Sequence, residues 1–377
     1  MDTPVTVIGA GLGGLTLARV LQVRGVPVVV YEAESSPTAR AQGGMLDIHD
    51  DNGQVALAAA GLLDEFRGIV VPGGETVRLV GQDGVVLHEM AGEAVSGRPE
   101  VQRGELRRLL LDSLAEGTVR WGCRVAGATP LGGGRHEVRF ADGRSVVADV
   151  LVGADGAWSR VRPLVSDAVP GYVGTTFVET YLFDADTRHP ASARVVGGGS
   201  MVAPSPGKEI FAHREKGGTL HAYAALSRPQ EWFAAIDFSD AAASTARVAR
   251  EFAGWAPELL ALITDGDVPP VLRPHHALPA GLRWGRVPGV TLVGDAAHLA
   301  APNGEGANLA MLDGAELAGV LADHPEDVEG ALGAFERAMF ERCEEAVTFA
   351  GAEMVQDIDS EDNTPQAMLE LLTQQTG

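Results

Sequence analysis

Three glycines, Gly9-x-Gly11-x-x-Gly14, stand between an apolar run and a helical pattern, and Glu32 follows eighteen residues after the last of them. The run Val5 to Ile8 reads as a short buried strand. Leu15, Leu17, Ala18 and Leu21 recur at helical spacing, and Pro27 to Tyr31 forms a second strand that ends at Glu32. Gly9 permits a tight turn, Gly11 lets the backbone approach a pyrophosphate, and Gly14 allows close helix–strand packing. A carboxylate at the position of Glu32 accepts a hydrogen bond from a ribose hydroxyl, so the set suits an adenine dinucleotide with an unphosphorylated ribose, FAD or NAD.

Two further segments have the same character. Val290 to Val293 reads as an apolar strand ending in Gly294-Asp295, followed by the loop Asn303-Gly304-Glu305-Gly306 and a helix from about Ala307. Flexible backbone leading into a helix N-terminus is how chains meet anions. Val146 to Val152 reads as a continuous strand, buried on both faces, that ends near Asp155-Gly156, with a helix beginning at Ser159 to Arg162. In an open parallel sheet, ligands collect at the carboxyl ends of strands, so the three ends would line one crevice and touch different parts of one long molecule. Asp295 would accept from a hydroxyl there; the alternative is a turn residue bonding its own backbone. Arg103 precedes a helix read over 104–115, where a cation opposes the helix dipole unless an anion sits nearby. The alternative is an arginine neutralised by Glu100 or Glu105.

Other elements are excluded. The glycines at 197–199 are followed by Pro204 and Pro206 where a helix would be required. Those at 132–134 form a hairpin turn, so there is no second nucleotide fold. His275 and His276 are adjacent on a strand and face opposite ways, and no His/Cys/Glu group has ligand spacing, so the expectation is no metal site. The only lysines, Lys208 and Lys216, lie in turns, which weighs against Schiff-base chemistry.

The chain has 377 residues, more than one core usually holds. A formal net charge of -22 argues against nucleic acid and anionic membrane surfaces. No apolar run approaches the ~18 residues of a membrane span. Cys123 and Cys343 have no close-spaced partner and suit a reducing, cytoplasmic setting; the N-terminal apolar run belongs to the strand–turn–helix rather than to a signal peptide. The expected partners are small molecules, and the expected state is a monomer.

The ordered trio Gly9-Gly11-Gly14, Asp155-Gly156 with Ser159 and Arg162, and Gly294-Asp295 followed by Pro302 resembles the class A, single-component flavin monooxygenases, the 4-hydroxybenzoate hydroxylase family. The stretches "GGMLDIHDDNGQVALAAAGLLDEF", "PEVQRGELRRLLLDSL" and "GDAAHLAAPNGEGANLAMLDG" are similar to its tetracycline-inactivating branch. The resemblance implies an α/β fold: a Rossmann-like FAD-binding domain (1–70, 98–168 and 285–330), an antiparallel-sheet substrate domain (71–97 and 169–284) and a C-terminal helical bridge (331–377). It implies that Asp47, Arg103 and Asp295 contact FAD, that Arg40 lies where NADPH (or NADH) approaches, and that Pro302, Gly304, Gly306, Ala307 and Asn308 run beside the isoalloxazine. Asp155 joins the cofactor set. Ala33 stands where the family often has arginine, and the loop after His298 is one residue shorter than the commoner form.

From Tyr172 to Ser227 short alternating strands are expected, with turns at Pro190, Pro206-Gly207 and Gly217-Gly218, and "KEIFAHREKGGTLHAYAALS" reads as a hairpin. By matching, Glu179 and Ser200 face the substrate where the tetracycline enzymes carry Gln and Arg; His213 and Tyr223 are further candidates. The tail is a long helix followed by a short one with Thr364 as N-cap and Pro365 at its first position. By resemblance, the activity is NAD(P)H-dependent reduction of FAD, addition of dioxygen at the flavin to give a C4a-hydroperoxide, and hydroxylation of an aromatic, polyketide-like or tetracycline-like molecule. No side chain need be catalytic in itself. A flavoprotein oxidase or dehydrogenase acting on a natural product, or a non-catalytic flavin-binding relative, stays open at this point.

Overall fold

The computed structural model describes residues 3–39, 43–90, 97–302, 304–350 and 358–375, without the side chains of 345–350 and 371–375. The chain divides into two compact units. One comprises Met1–Val70, Val101–Gly171 and His276–Phe349; the other comprises Val71–Glu100, Tyr172–His275 and Ala350–Gly377.

The first unit is built on a five-stranded parallel sheet in the order Val290–Leu292, Leu151–Gly153, Val5–Ile8, Val28–Tyr31, Val119–Arg120. Its three strands Val5–Ile8, Leu151–Gly153 and Val290–Leu292 are buried at every residue, as continuous apolar runs require in a parallel sheet. Ile8 pairs with Gly153, and Gly153 pairs with Leu292, so all three strands end at one level. The Leu12–Val23 helix buries Leu15, Leu17, Ala18 and Leu21 completely against this sheet. It also crosses the Gly306–Asp323 helix at very short range: a β-carbon on Gly314 would lie 2.5 Å from the carbonyl oxygen of Gly13. The Val328–Ala350 helix adds Leu332, Phe335 and Met339 to the same core.

Three local expectations change. The run Val146 to Val152 is not one strand. Ser145–Ala148 is the edge of a three-stranded antiparallel sheet with Arg135–Phe140 and Val125–Gly132, and Val147 is exposed there; only Leu151–Gly153 enters the parallel sheet. Apolar content alone carries no mark of a change of sheet. The helix expected from Ser159 is a single 3-10 turn, Arg162–Leu164, because Pro163 lacks the N–H a longer helix needs. Pro190 opens a helix, Pro190–Val196, at whose first position its missing N–H costs nothing.

The second unit holds a seven-stranded sheet in the order Val271–Ala277, Gly171–Leu182, Thr219–Ser227, Lys208–Glu215, Ser200–Ser205, Val77–Val80, Val86–Met90. Period-two alternation sorts its residues into two faces. Val178, Leu182, Ile210, Ala212, Ala222, Ala224 and Leu226 point one way, into a buried cluster shared with Val196, Val248, Leu259 and Leu262 of the covering helices. Phe177, Glu179, Tyr181, Phe211, His213, Glu215, His221 and Tyr223 point the other way, as direct cross-strand pairing requires. At the far side of this second face, Met368 of the Pro365–Gln375 helix packs on Leu79, and the Thr364 hydroxyl caps that helix by accepting from Ala367 N.

Two glycines inside the Gly306–Asp323 helix, Gly314 and Gly319, give an internal contrast. A β-carbon added at Gly319 would meet nothing within 4 Å, whereas one at Gly314 would face the Gly13 carbonyl. G319A should raise stability by about 0.5–1 kcal/mol through helix propensity. G314A should lower it by about 2 kcal/mol or more through overpacking. Thermal melts of the two variants should move in opposite directions; a parallel shift would contradict the tight helix crossing.

Candidate functional site

The first site grows from the common level at which the three strands end. Gly9 turns out of its strand with φ +107, and a β-carbon there would lie 2.2 Å from the Ala154 carbonyl oxygen; one on Gly14 would lie 2.2 Å from the Gly9 carbonyl oxygen. Gly11 differs, because its missing side chain opens onto space with nothing within 4 Å. It stands at the N-cap of the Leu12–Val23 helix and, having no side chain, makes no cap bond to the first turn. Positive helix potential and donors therefore point outward at one spot.

The carboxylate of Glu32 is fixed beside this turn, accepting from Ala10 N at 2.7 Å and Glu34 N at 2.8 Å. Arg107, buried, donates to the Ala10 carbonyl at 3.0 Å and reaches Glu34 at 3.3 Å, so the turn is held from both sides. On the next strand, Asp155 accepts from the Ser159 hydroxyl and from Arg160 N, each at 2.6 Å. Arg162 then ties this turn to the third. Its guanidinium donates to Ala157 O at 2.7 Å, Ala296 O at 2.8 Å and Asp295 O at 3.2 Å.

Asp295 opens the short Asp295–His298 helix, with its side chain solvent-accessible. Surrounding protein desolvates its carboxyl and raises its pKa, while the charges of His298, Arg103 and Arg162 pull it back. The turn beneath is braced by Asp313, which is fully buried. It accepts from Gly294 N at 2.8 Å, His298 Nε2 at 2.6 Å and Arg342 at 2.8 Å.

Asp47 joins the same locality. Arg103 N bonds the Gly44 carbonyl at 3.0 Å, drawing the Arg103–Asp112 helix start to the Met45–Asp47 strand. Asn308 donates to Asp47 O at 2.9 Å and accepts from His49 N at 3.0 Å. Gly304 lies 3.9 Å from Asp47 Oδ1, and Gly306 lies 3.9 Å from Asp295 Oδ1, each measured from the position a β-carbon would take. His49 is buried between two carboxylates, 2.8 Å from Asp47 and 3.2 Å from Glu305. Burial alone would lower its pKa, but the hydrogen bonds to Asp47 and Glu305 raise it to about 9. Glu305 and Asn308 are thus clasped to the Asp47 segment through His49. Asn303 and Arg40 lie outside the described residues.

The second site is the polar–aromatic face of the seven-stranded sheet. Glu179 pairs with Tyr223 across strands, and Ser200 pairs with His213, so the two residues matched to substrate contacts and the two further candidates share this face. His221, directly opposite His213, was not among them, nor were Tyr181, Glu215 and Arg273. Glu179 accepts from His221 Nε2 and Arg273 Nε, each at 2.6 Å, and from the Tyr181 hydroxyl at 2.9 Å. Burial would raise the pKa of this carboxyl, but the three donors hold it at about 2. The signal that would have found His221 is the turn: with Lys216-Gly217-Gly218 as the loop, Glu215 pairs with Thr219 and the two histidines must face each other.

Known proteins share the family and the fold of this chain. The family described as "FAD binding domain" matches residues 2–328. The chain is 28% identical over 417 residues to "Monooxygenase asqM" of Emericella nidulans, covering 92% of this chain and 93% of that one. It is 33% identical over 364 residues to "3-amino-4-hydroxybenzoate 2-monooxygenase PtmB3" of Streptomyces platensis, covering 90% and 85%. Among solved structures, a variant of HpxO from Klebsiella pneumoniae complexed with FAD matches with TM-score 0.78 at 25% identity, covering 99% of this chain and 93% of that one.

The His49 clasp carries a pH signature. Its pKa is raised from 6.5, so its stabilisation is complete below about pH 6.5 and is lost as pH rises through about 9. Relative to H49Q, the wild type should lose about 2 kcal/mol of unfolding free energy between pH 6 and 10, allowing for the partial exposure of Asp47. Urea titrations of both proteins at several pH values measure this; a constant difference would show that His49 is not charged in the clasp.

Proposed function

The chain belongs to the FAD binding domain family as an FAD-dependent monooxygenase, and on that premise we propose that it uses NAD(P)H and dioxygen to hydroxylate an aromatic or polyketide-like small molecule. The observation that carries the reading is the alignment of Ile8, Gly153 and Leu292 at one sheet level, with a chemistry-bearing turn beyond each. Oxidase or dehydrogenase activity and a non-catalytic role are not favoured, because the relatives are named monooxygenases and hydroxylases.

The residues present fit FAD. Gly11 offers the open backbone and the uncapped helix start that a pyrophosphate needs, and Glu32 holds the adenosine side at the end of its strand. We assign Gly9, Gly11, Gly14 and Glu32 to the diphosphate and adenosine half. Arg103, Asp155 and Asp295 belong to the middle of the cofactor. Asp47 and the segment Pro302, Gly304, Gly306, Ala307 and Asn308 belong to its ring. Support for the last assignment is the start of the Gly306–Asp323 helix, whose positive end suits the negative charge of a reduced ring. Bound FAD supplies the electron transfer and oxygen activation. The chain's own part is to orient the cofactor and the substrate and to exclude water.

Glu179, Ser200, His213 and Tyr223 are proposed to present the substrate-facing surface, an aromatic floor of Phe177, Phe211 and Tyr223 rings with hydrogen-bonding groups between them. Such a surface suits a planar aromatic molecule bearing hydroxyl or amino groups. Arg40 is assigned to the approach of NADPH on resemblance. The protein is proposed to act as a cytoplasmic monomer. Its two cysteines are free, and no helix among the described residues is long and apolar enough to cross a membrane.

Purified protein should carry, or take up, one equivalent of FAD. NADPH oxidation should accelerate with an accepted phenolic substrate, and the product should gain one atom from labelled dioxygen. Failure to bind FAD would overturn the assignment of the cofactor residues; flavin binding with no label in product would overturn hydroxylation. R103A and D295A should each weaken FAD retention about 10–100-fold, the worth of one charged hydrogen bond.

A further inference from the structure

Within the second unit, His213, Glu215 and His221 form a group with properties of its own. His213 and Glu215 lie two residues apart on the Lys208–Glu215 strand, hence on one face, and His221 sits opposite His213 on Thr219–Ser227. One ligand atom from each of the three side chains lies within 4.8 Å of the other two. Glu215 Oε1 is 2.9 Å from His221 Nδ1 and 3.5 Å from His213 Nε2. Ligands about 2.0–2.1 Å from a tetrahedral metal stand roughly 3.3 Å apart, so small adjustments suffice.

Two observations point to a cation at the centre. The buried Nε2 of His213, on a side chain only 6% exposed, has no hydrogen-bond partner among the described residues. His221, whose side chain is 1% exposed, directs both ring nitrogens at carboxylates: Nε2 at Glu179, 2.6 Å away, and Nδ1 at Glu215. Nε2 facing Glu179 leaves Nδ1 turned toward Glu215 Oε1, with the Tyr223 hydroxyl 3.3 Å from the same nitrogen. A metal ion between Nδ1 and Glu215 would also reach the unpartnered Nε2 of His213.

We propose that His213 Nε2, Glu215 Oε1 and His221 Nδ1 bind a divalent first-row metal ion of the zinc class, with Glu179 as the positioning residue that fixes the tautomer of His221. Two imidazoles and one carboxylate favour Zn²⁺, Co²⁺ or Fe²⁺ over Mg²⁺ and Ca²⁺. The carboxylate–histidine–metal chain, here anchored by Arg273 and Tyr181 on Glu179, is the arrangement that orients ligating histidines. Binding replaces the Nδ1 proton, which leaves to solvent as the nitrogen–metal bond forms. Three protein ligands leave a coordination position for an anionic oxygen donor, such as a phenolate or enolate. This proposal stands apart from the flavin assignment, since every residue in it belongs to the sheet of the second unit.

The test uses the flavin-loaded, chelator-treated full chain and Zn²⁺ as the probe, with calorimetry and native mass spectrometry counting metal and FAD separately. One saturable equivalent of Zn²⁺ is expected in the wild type, weakened at least tenfold in H213Q and in E215Q, and about 10–100-fold in E179Q. FAD content and melting temperature report folding of the variants. Should a variant fail to fold, zinc-edge anomalous scattering from wild-type crystals locates the ion directly. No saturable uptake, uptake unchanged in folded H213Q and E215Q, or an anomalous peak elsewhere on this acidic chain would overturn the proposal.

Discussion

A β-carbon at residue 9 would collide with the Ala154 carbonyl oxygen at 2.2 Å, and the arrangement of the first unit follows from that closeness. Parallel strands bring their carboxyl ends to one edge, and the register Ile8–Gly153–Leu292 brings three of them to one level. Two of the chain reversals then meet so closely that residue 9 has no room for a side chain. Glycine satisfies the packing at Gly9 and Gly14, while Gly11 faces outward with its backbone available. The same residue type thus serves two ends: close packing inside and access outside.

Turns crowded in this way leave carbonyl groups facing one another, and arginine resolves the crowding. Arg162 gathers carbonyl oxygens from two of the three turns, and Arg107 holds Ala10 while neutralising Glu34. Arg342 neutralises Asp313, which in turn holds Gly294 and His298. A planar fork with several fixed donors can satisfy two or three acceptors at once, which a single ammonium point charge does less well. A chain with only two lysines among its 29 basic residues uses that property repeatedly.

What could be read from the sequence was whatever chemistry lies within one strand–turn–helix. The finger glycines, Glu32, Asp155 and Asp295 carry their meaning in local spacing, and the structure sets their turns beside one another. Arg162 is different, because its carbonyl partners lie up to 134 residues away and carry no residue identity. Asp313 reads in sequence as one more polar helix residue; only the fold shows it fully buried beneath the Gly294 turn. The run from Val146 to Val152 misled for a related reason, since an edge strand and a central strand joined end to end look like one apolar segment.

The sheet of the second unit shows how little separates a core from a site. Its strands alternate strictly, so a one-residue slip of Thr219–Ser227 past Lys208–Glu215 would turn Ala222 and Ala224 outward and drive His221 and Tyr223 under the helices. What prevents the slip is the turn. Gly217 and Gly218 both take positive φ, +80 and +75, a geometry that side-chain-bearing residues resist, and it fixes Glu215 opposite Thr219. Once that pair is set, the two histidines meet, His221 falls between Glu179 and Glu215, and the charge of each carboxylate is answered. Two glycines with no part in any chemistry therefore determine which chemistry the face can hold.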